Sequence, residues 1–285
     1  MTANPFAGAS VLIFGGAKGI GRAVALEWAR RGARLALADI DEAAAHAVAA
    51  EIGGDSFGLR ADVLSDTSVA ATVAAAAARL GPLDIVMNNV GGMLNGHPED
   101  IPIAEWQRIM DLNYFAAVRG VQAVLPGMLA RGKGHVVNTA SFAGLYPYAA
   151  SRVPYAAAKA AVISMTQNMA LYAEPLGVRF SCLIPGPVMT GVLDTMTSWT
   201  PDCPMRGPGT ETTLLLPEAL AVKLSDGMAA GEVVIPSDDV AFDIVRRWAA
   251  SPDAFIRAKA AEFAGGESGR PQVPPEVIAM MGAGR

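Results

Sequence analysis

The sequence is short of cysteine, histidine and charge, and each shortage excludes something. Only Cys182 and Cys203 occur in 285 residues, with three histidines and no Cys/His cluster at ligand spacing. A disulfide framework and a zinc site are thereby excluded, no metal is expected, and a reducing cytoplasm is the expected compartment. Charged residues are 17% of the chain, the net charge is -5, and Lys and Arg stand singly. There is no basic stripe for nucleic-acid phosphates or anionic lipid, so small metabolites are the expected partners. Nor is there a long apolar run: Arg79, Asp84, Arg152 and Lys159 interrupt the most apolar stretches, and Met1 to Ser10 lacks a basic region followed by apolar residues. Neither a membrane span nor export is expected. What is present is 52% hydrophobic residues, enough to bury one large core.

Short apolar runs alternate with segments of helical period. Val11 to Phe14, Leu35 to Ala38, Phe57 to Leu59, Ile85 to Met87, His135 to Asn138, Arg179 to Ile184 and Val233 to Ile235 read as strands. Ile20 to Arg31, Asp41 to Glu51, Asp66 to Leu80, Ile103 to Arg131 and Tyr155 to Glu174 read as helices, bounded by Gly, Pro or a capping Asp. The Ala-rich stretches Ala43 to Ala50 and Ala70 to Ala78 belong to these helices, since Ala forms helix well and lets it pack close to a sheet. Parallel strands need a crossover and the helices supply it. The expectation is an α/β chain with a Rossmann-like doubly wound parallel sheet of about seven strands. Residues 1–264 form one domain, with a Pro-, Gly-, Thr- and Met-rich substrate lobe over 186–217 that contains no clear strand. Helices over Pro217 to Ala230, Asp238 to Ala250 and Pro252 to Phe263 complete it, and 265–285 is expected to be a loose tail.

The first strand runs through Gly15-Gly16-Ala17-Lys18-Gly19-Ile20-Gly21 into a helix, which aims backbone N–H groups and the positive helix end at one point, where a pyrophosphate fits. Gly15 allows the tight turn, Gly19 the approach of backbone to phosphate, and Gly21 the close packing of helix on strand. The second strand ends at Asp39, at the separation where a carboxylate meets the adenosine ribose of a dinucleotide. Asp41 is placed to cap the next helix, which leaves Asp39 free for that ribose. Tyr155 and Lys159 stand one helical turn apart on one face, and an ammonium beside a phenol favours the phenolate. That matters because an ordinary Tyr titrates near about 10 and is a poor base at neutral pH.

Together with Asn88-Asn89-Val90-Gly91 after the fourth strand, Ser141 after the fifth, and Pro185-Gly186-Pro187-Val188 followed by Thr190, these residues resemble the short-chain dehydrogenases/reductases over roughly Ser10 to Thr190. The resemblance implies NAD(P)-dependent hydride transfer between a carbonyl and an alcohol carbon, with Tyr155 as acid/base. It further implies that Lys159 holds the nicotinamide ribose, Ser141 orients the substrate oxygen and Asn113 anchors a water-linked proton path. Asp62 and Val63 look like adenine contacts. Ile20, Asn89, Gly91, Pro185, Gly186, Val188 and Thr190 look like contacts along the cofactor, and Lys18 helps the pyrophosphate. The chain departs from the family at Phe14, where a Thr usually ties the glycine loop to the Asn-Asn-x-Gly segment. It also continues for about fifty residues past Val233 to Ile235.

Gly92, Met93, Leu94, Phe142, Leu145, Tyr148 and Met189, with Val192, Leu193, Met196 and Trp199 of the lobe, are expected to line an apolar pocket. It would suit a hydrophobic ketone or secondary alcohol better than a sugar or acyl carrier. Asp39 predicts NAD in preference to NADP, against the contrary pull of Lys18. A silent nucleotide sensor or scaffold is the alternative class; loss of Tyr155 or Lys159 would mark it, and both are present. A sugar-nucleotide epimerase is a third reading, disfavoured by the glycine spacing. Surplus apolar surface on the helices of Ile103 to Arg131 and Tyr155 to Glu174 predicts a homodimer or homotetramer.

Overall fold

The computed structural model describes residues 4–191, 196–275 and 277–278. Strands β1 (Ser10–Phe14), β2 (Arg34–Asp39), β3 (Phe57–Arg60) and β4 (Ile85–Asn88) alternate with helices α1 (Gly19–Arg30), α2 (Glu42–Ile52) and α3 (Asp66–Leu80). Then come a short β5 (Leu94–Asn95), helices α4 (Ile103–Met110) and α5 (Ala116–Arg131), β6 (Gly134–Thr139), α6 (Val153–Ala173) and β7 (Val178–Ile184). The C-terminal part adds β8 (Thr197–Ser198), α7 (Pro217–Ala230), β9 (Val234–Pro236), α8 (Val240–Ala250) and α9 (Pro252–Ala264).

The seven long strands form one parallel sheet in the order β3-β2-β1-β4-β6-β7-β9. Alternation along each strand feeds both faces. Val11 and Ile13 of β1 face Trp28 of α1 and Leu220, Leu224 and Met228 of α7. Leu12 and Phe14 face the opposite layer of α3, α5 and α6. Strands buried on both sides need near-continuous apolar runs, and SVLIF in β1 is one. Strand order reverses between β1 and β4, so the crevice beyond their carboxyl ends is where such a sheet takes a ligand. Among the described residues, no helix is long and apolar enough to cross a membrane.

Three expectations need correction. The single helix over Ile103 to Arg131 is interrupted by a π turn, Asp111–Phe115, whose extra residue shifts the ladder at Asn113. The lobe does contain a strand: β8 pairs in parallel with β5, Leu94 against Thr197 and Asn95 against Ser198. The C-terminal segment is not loose over its first part. The Gly207 and Gly209 N–H groups donate to the carbonyls of Ser268 and Gly269, and Gln272 bonds to Thr212 and Leu214, so residues 267–272 lie along the lobe.

Candidate active site

The carboxyl ends of β1, β4, β6 and β7 gather the candidate residues. After β1 the chain turns at Gly15 (φ 78°) and again at Gly19 (φ 52°), both in the left-handed region that favours glycine. At Gly21 a Cβ would lie 1.9 Å from the Gly15 carbonyl oxygen and 2.8 Å from Asn89 Nδ2. Only glycine lets α1 start this close to β1. Lys18 precedes α1 without a side-chain cap, and the first intrahelical bond runs from Arg22 N–H to the Lys18 carbonyl at 3.2 Å. The N–H groups of Gly19, Ile20 and Gly21 therefore have no partner within the helix, the condition for holding an anion at a helix start. Phe14 does not loosen this loop. The Asn89 side chain donates to the Gly15 carbonyl at 3.1 Å, and Asn89 N–H bonds the Phe14 carbonyl at 3.0 Å.

Asp39 is not free, as its position in the sequence suggested. One carboxylate oxygen accepts from Ala17 N–H and the other from Asp41 N–H, each at 3.2 Å, so it props the glycine loop as well as facing the crevice. Carboxylate oxygens accept more than one bond, which leaves capacity for a ribose hydroxyl. Asp41 does cap α2 through Ala44 N–H, and it also pairs with the exposed Lys18 ammonium at 2.9 Å. Hydrogen bonding and charge from Lys18 lower the Asp41 pKa, while Asp41 raises that of Lys18. Asp62 accepts from Leu64 N–H at 2.9 Å in a local turn, and Val63 beside it is buried.

The second half of the crevice holds the titratable groups. Lys159, 3% exposed, donates from Nζ to the Thr139 carbonyl at 2.8 Å and lies 5.7 Å from the Tyr155 ring centre. Burial brings its pKa down from 10.5 to about 8. Burial also pushes the Tyr155 hydroxyl up; a hydrogen bond from Ser141 and the positive charge of Arg152 work against this. The counterweights to burial are thus Ser141 and Arg152 rather than Lys159, because the ammonium is turned to Thr139. Ser141 Oγ also accepts from Ala143 N–H at 3.2 Å, which fixes the hydroxyl at the start of a short 3-10 turn.

Asn113 sits in the π turn with both ends of its amide engaged. Its Oδ1 accepts from Gly92 N–H at 3.2 Å, and its Nδ2 donates to the carbonyls of Gly92 and Ile109 at 3.0 Å. A Cβ on Gly91 would stand 2.6 Å from Asn113 Oδ1 and 3.2 Å from Lys159 Nζ, so Asn113, Gly91 and Lys159 meet at one corner. The Asn113 side chain holds that corner through these three bonds. On the far side, Phe142 N–H bonds the Pro185 carbonyl and Gly186 N–H bonds Ser237 Oγ, both at 2.8 Å. Val188 pairs with Leu215, and Thr190 stands over Gly19, its Cγ2 3.4 Å from where a Cβ would be.

Of the expected pocket residues, Gly92, Met93, Leu145, Met189, Met196 and Trp199 keep part of their surface exposed. Leu94 and Phe142 are core rather than lining, both at 0% exposure. Phe142 fits there because Gly186 has no Cβ, which would fall 2.8 Å from the ring. Tyr148 is buried against Tyr146, with ring centres 5.2 Å apart. Val192 and Leu193 lie outside the described residues. Two residues near the centre were not singled out from spacing. Thr139 gives its backbone carbonyl to Lys159 and its hydroxyl to Asn89 Oδ1 at 3.0 Å, and no sequence signal marks the carbonyl. Arg152 was visible as a lone charge in an apolar stretch three residues before Tyr155.

Comparison with known proteins agrees with this fold. Residues 9–201 match the family model described as short chain dehydrogenase. The chain is 35% identical over 193 residues to a 2,5-dichloro-2,5-cyclohexadiene-1,4-diol dehydrogenase of Sphingobium indicum, covering 67% of this chain and 77% of that protein. It is 34% identical over 195 residues to a 3-alpha-(or 20-beta)-hydroxysteroid dehydrogenase of Mycobacterium tuberculosis, covering 68% and 73%. Among solved structures, a short chain dehydrogenase/reductase from Burkholderia phymatum in complex with NAD superposes with a TM-score of 0.75 at 28% identity, over 85% of this chain and 93% of that one. The chain belongs to the short-chain dehydrogenase/reductase family, whose members are oxidoreductases that use NAD or NADP.

Proposed function

We propose that this chain interconverts a secondary alcohol with a largely apolar body and the corresponding ketone, using NAD in preference to NADP, with Tyr155 as the group that takes up or returns the proton. The observation that carries this reading is the convergence of the Tyr155 and Ser141 hydroxyls beside Lys159 at the mouth of a loop with an uncapped helix start. The loop fits a pyrophosphate: its three leading N–H groups lack helical partners, and the close contact at Gly21 leaves the backbone itself as the binding surface. When bound, the dinucleotide supplies or accepts the hydride. The protein's own residues do the rest. Ser141 holds the substrate oxygen by hydrogen bond, and Tyr155 gives that oxygen a proton in reduction or removes it in oxidation. Lys159, held by the Thr139 carbonyl, would bind the ribose hydroxyls. Asn113 keeps the Gly91–Gly92 corner in shape beside it.

Preference for NAD rests on the balance at the end of β2. Asp39 would face the 2′-phosphate of NADP as a like charge, which costs several kcal/mol at a binding surface. Lys18 cannot offset this, because its ammonium is exposed and already paired with Asp41. A homodimer or homotetramer is part of the same reading. Ile103, Phe115, Leu171 and Tyr172 expose large apolar surfaces on α4, the π turn and α6, beside an open depression lined by Tyr114, Leu125, Met165 and Met169. The test of the function is turnover of a panel of apolar ketones and alcohols, followed on the reduced nicotinamide chromophore. Dinucleotide binding without turnover of any member would favour the silent sensor instead.

A further inference from the structure

Four buried polar groups without partners lie on β5, on the 3-10 turn Ala150–Arg152 that leads into α6, and on the lobe. They are Asn95 Oδ1, Ser151 Oγ, Arg152 Nε and Trp199 Nε1. The segments that carry them are bonded to one another. Gly96 N–H donates to the Ser151 carbonyl at 2.9 Å, Trp199 N–H to the Asn95 carbonyl at 2.8 Å, and Asn95 Nδ2 to the Cys203 carbonyl at 2.8 Å. Trp199 also packs in the same apolar cluster as Tyr155.

Arg152 is the unusual member. It is 7% exposed, one Nη donates to the Arg206 carbonyl at 2.5 Å, and the guanidinium stands 5.7 Å from the Tyr148 ring centre. No carboxylate of the described residues forms a salt bridge with it. A buried cation is costly unless an anion meets it, and a buried N–H left without an acceptor adds to the cost. Three of the four orphaned groups can donate: the guanidinium Nε, the indole Nε1 and the Ser151 hydroxyl. Such donors, carried on segments bonded to one another and one of them positively charged, are the kind that meet an oxyanion.

We propose that the substrate carries a carboxylate, and that Arg152, with Trp199 and Ser151, binds it next to the Tyr155 hydroxyl. The proposal rests on the Tyr155 reading above and narrows it: the substrate class becomes hydroxy and keto acids with an apolar body. A planar guanidinium matches the two oxygens of a carboxylate, and charge-assisted hydrogen bonds are the strong ones. Arg152 is then a specificity-determining residue rather than only a tether for the lobe.

The experiment compares a keto acid with its methyl ester, each at saturating reduced cofactor. Unmodified protein should favour the acid in kcat/KM by about tenfold to a hundredfold, the worth of one or two charge-assisted hydrogen bonds. In Arg152→Met that ratio should collapse to near one or invert, with Arg152→Lys between. The ratio is read within one variant, so a general loss from a disturbed lobe cancels. Calorimetry provides the second measurement. With dinucleotide present, cyclohexanecarboxylate should bind more tightly than cyclohexanecarboxamide, and Arg152→Met should abolish the difference. Preference for the ester in unmodified protein, or an acid-to-ester ratio unchanged in Arg152→Met, overturns the carboxylate and leaves the Tyr155 reading standing. Selective carboxylate binding with no turnover of either compound supports the receptor and overturns the oxidoreductase reading instead.

Discussion

Replacing Gly21 by Ala tests the cradle. The added Cβ would sit 1.9 Å from the Gly15 carbonyl oxygen, whereas ordinary contact begins near 3.4 Å, so the start of α1 and the loop must part by about 1.5 Å. The nearest atom, the Gly15 carbonyl oxygen, is backbone, which has no rotamer to yield. Overpacking of this kind costs about 1–3 kcal/mol. The Asn89–Gly15 bond shares the same space, and losing it adds about 1 kcal/mol, for a total of about 2–4 kcal/mol of stability. The parted loop also misaims its N–H groups. Loss of one charge-assisted bond to a phosphate weakens binding by about tenfold to a hundredfold. Urea unfolding followed by circular dichroism and NAD titration by calorimetry measure the two effects. Gly127→Ala is the control: it lies within α5 with only the flexible Arg131 Nη1 at 3.6 Å, and Ala there should be neutral or stabilising by up to about 1 kcal/mol. A Gly21→Ala protein with unchanged midpoint and NAD affinity would refute the reasoning.

Lys159→Met should show where the buried ammonium loses its proton. The unfolded chain keeps that proton to 10.5 and the folded chain only to about 8, so the folded state holds fewer protons between those values and gains stability as pH rises through them. Against the Met variant, unmodified protein should gain up to about 3 kcal/mol from pH 8 to 10.5 in chemical denaturation; a flat difference would contradict the burial argument. Asp39→Ser should narrow the ratio of kcat/KM for NAD over NADP by about tenfold or more, and a clear NADP preference in unmodified protein would overturn the assignment. Light scattering at micromolar concentration should give at least a dimer mass, and a monomer mass would remove the role given to the apolar faces of α4 and α6.

Much of the fold was legible because parallel strands covered on both faces need near-continuous apolar runs. Runs such as VLIF and RFSCLI stand out from the Ala-rich helices between them. The site was legible where chemistry constrains local spacing: glycines at a helix start, and a Tyr and Lys one turn apart. Contacts made across long separations could not be read. The pairing of Leu94 with Thr197 joins two-residue strands about a hundred positions apart, too short for any periodicity. The π turn carries Asn113, whose side chain reaches Gly92 twenty-one residues away, a contact that the helix's own composition does not announce. Asp39 read as unoccupied because the Ala17 N–H that it holds is brought to it only by the β1–β2 pairing. Phe142 read as lining because its burial depends on the missing Cβ of Gly186 in another strand's loop.

Tyr155→Phe tests the central claim most directly, since it removes one hydroxyl and almost no contact area. Steady-state turnover in both directions and calorimetric affinity for NAD should be measured on the same preparation. The account predicts a fall in kcat by about a hundredfold to ten-thousandfold, the range of a lost general acid/base, with NAD affinity within about threefold of the unmodified protein. Turnover retained within about tenfold, with cofactor affinity unchanged, would show that another group moves the proton.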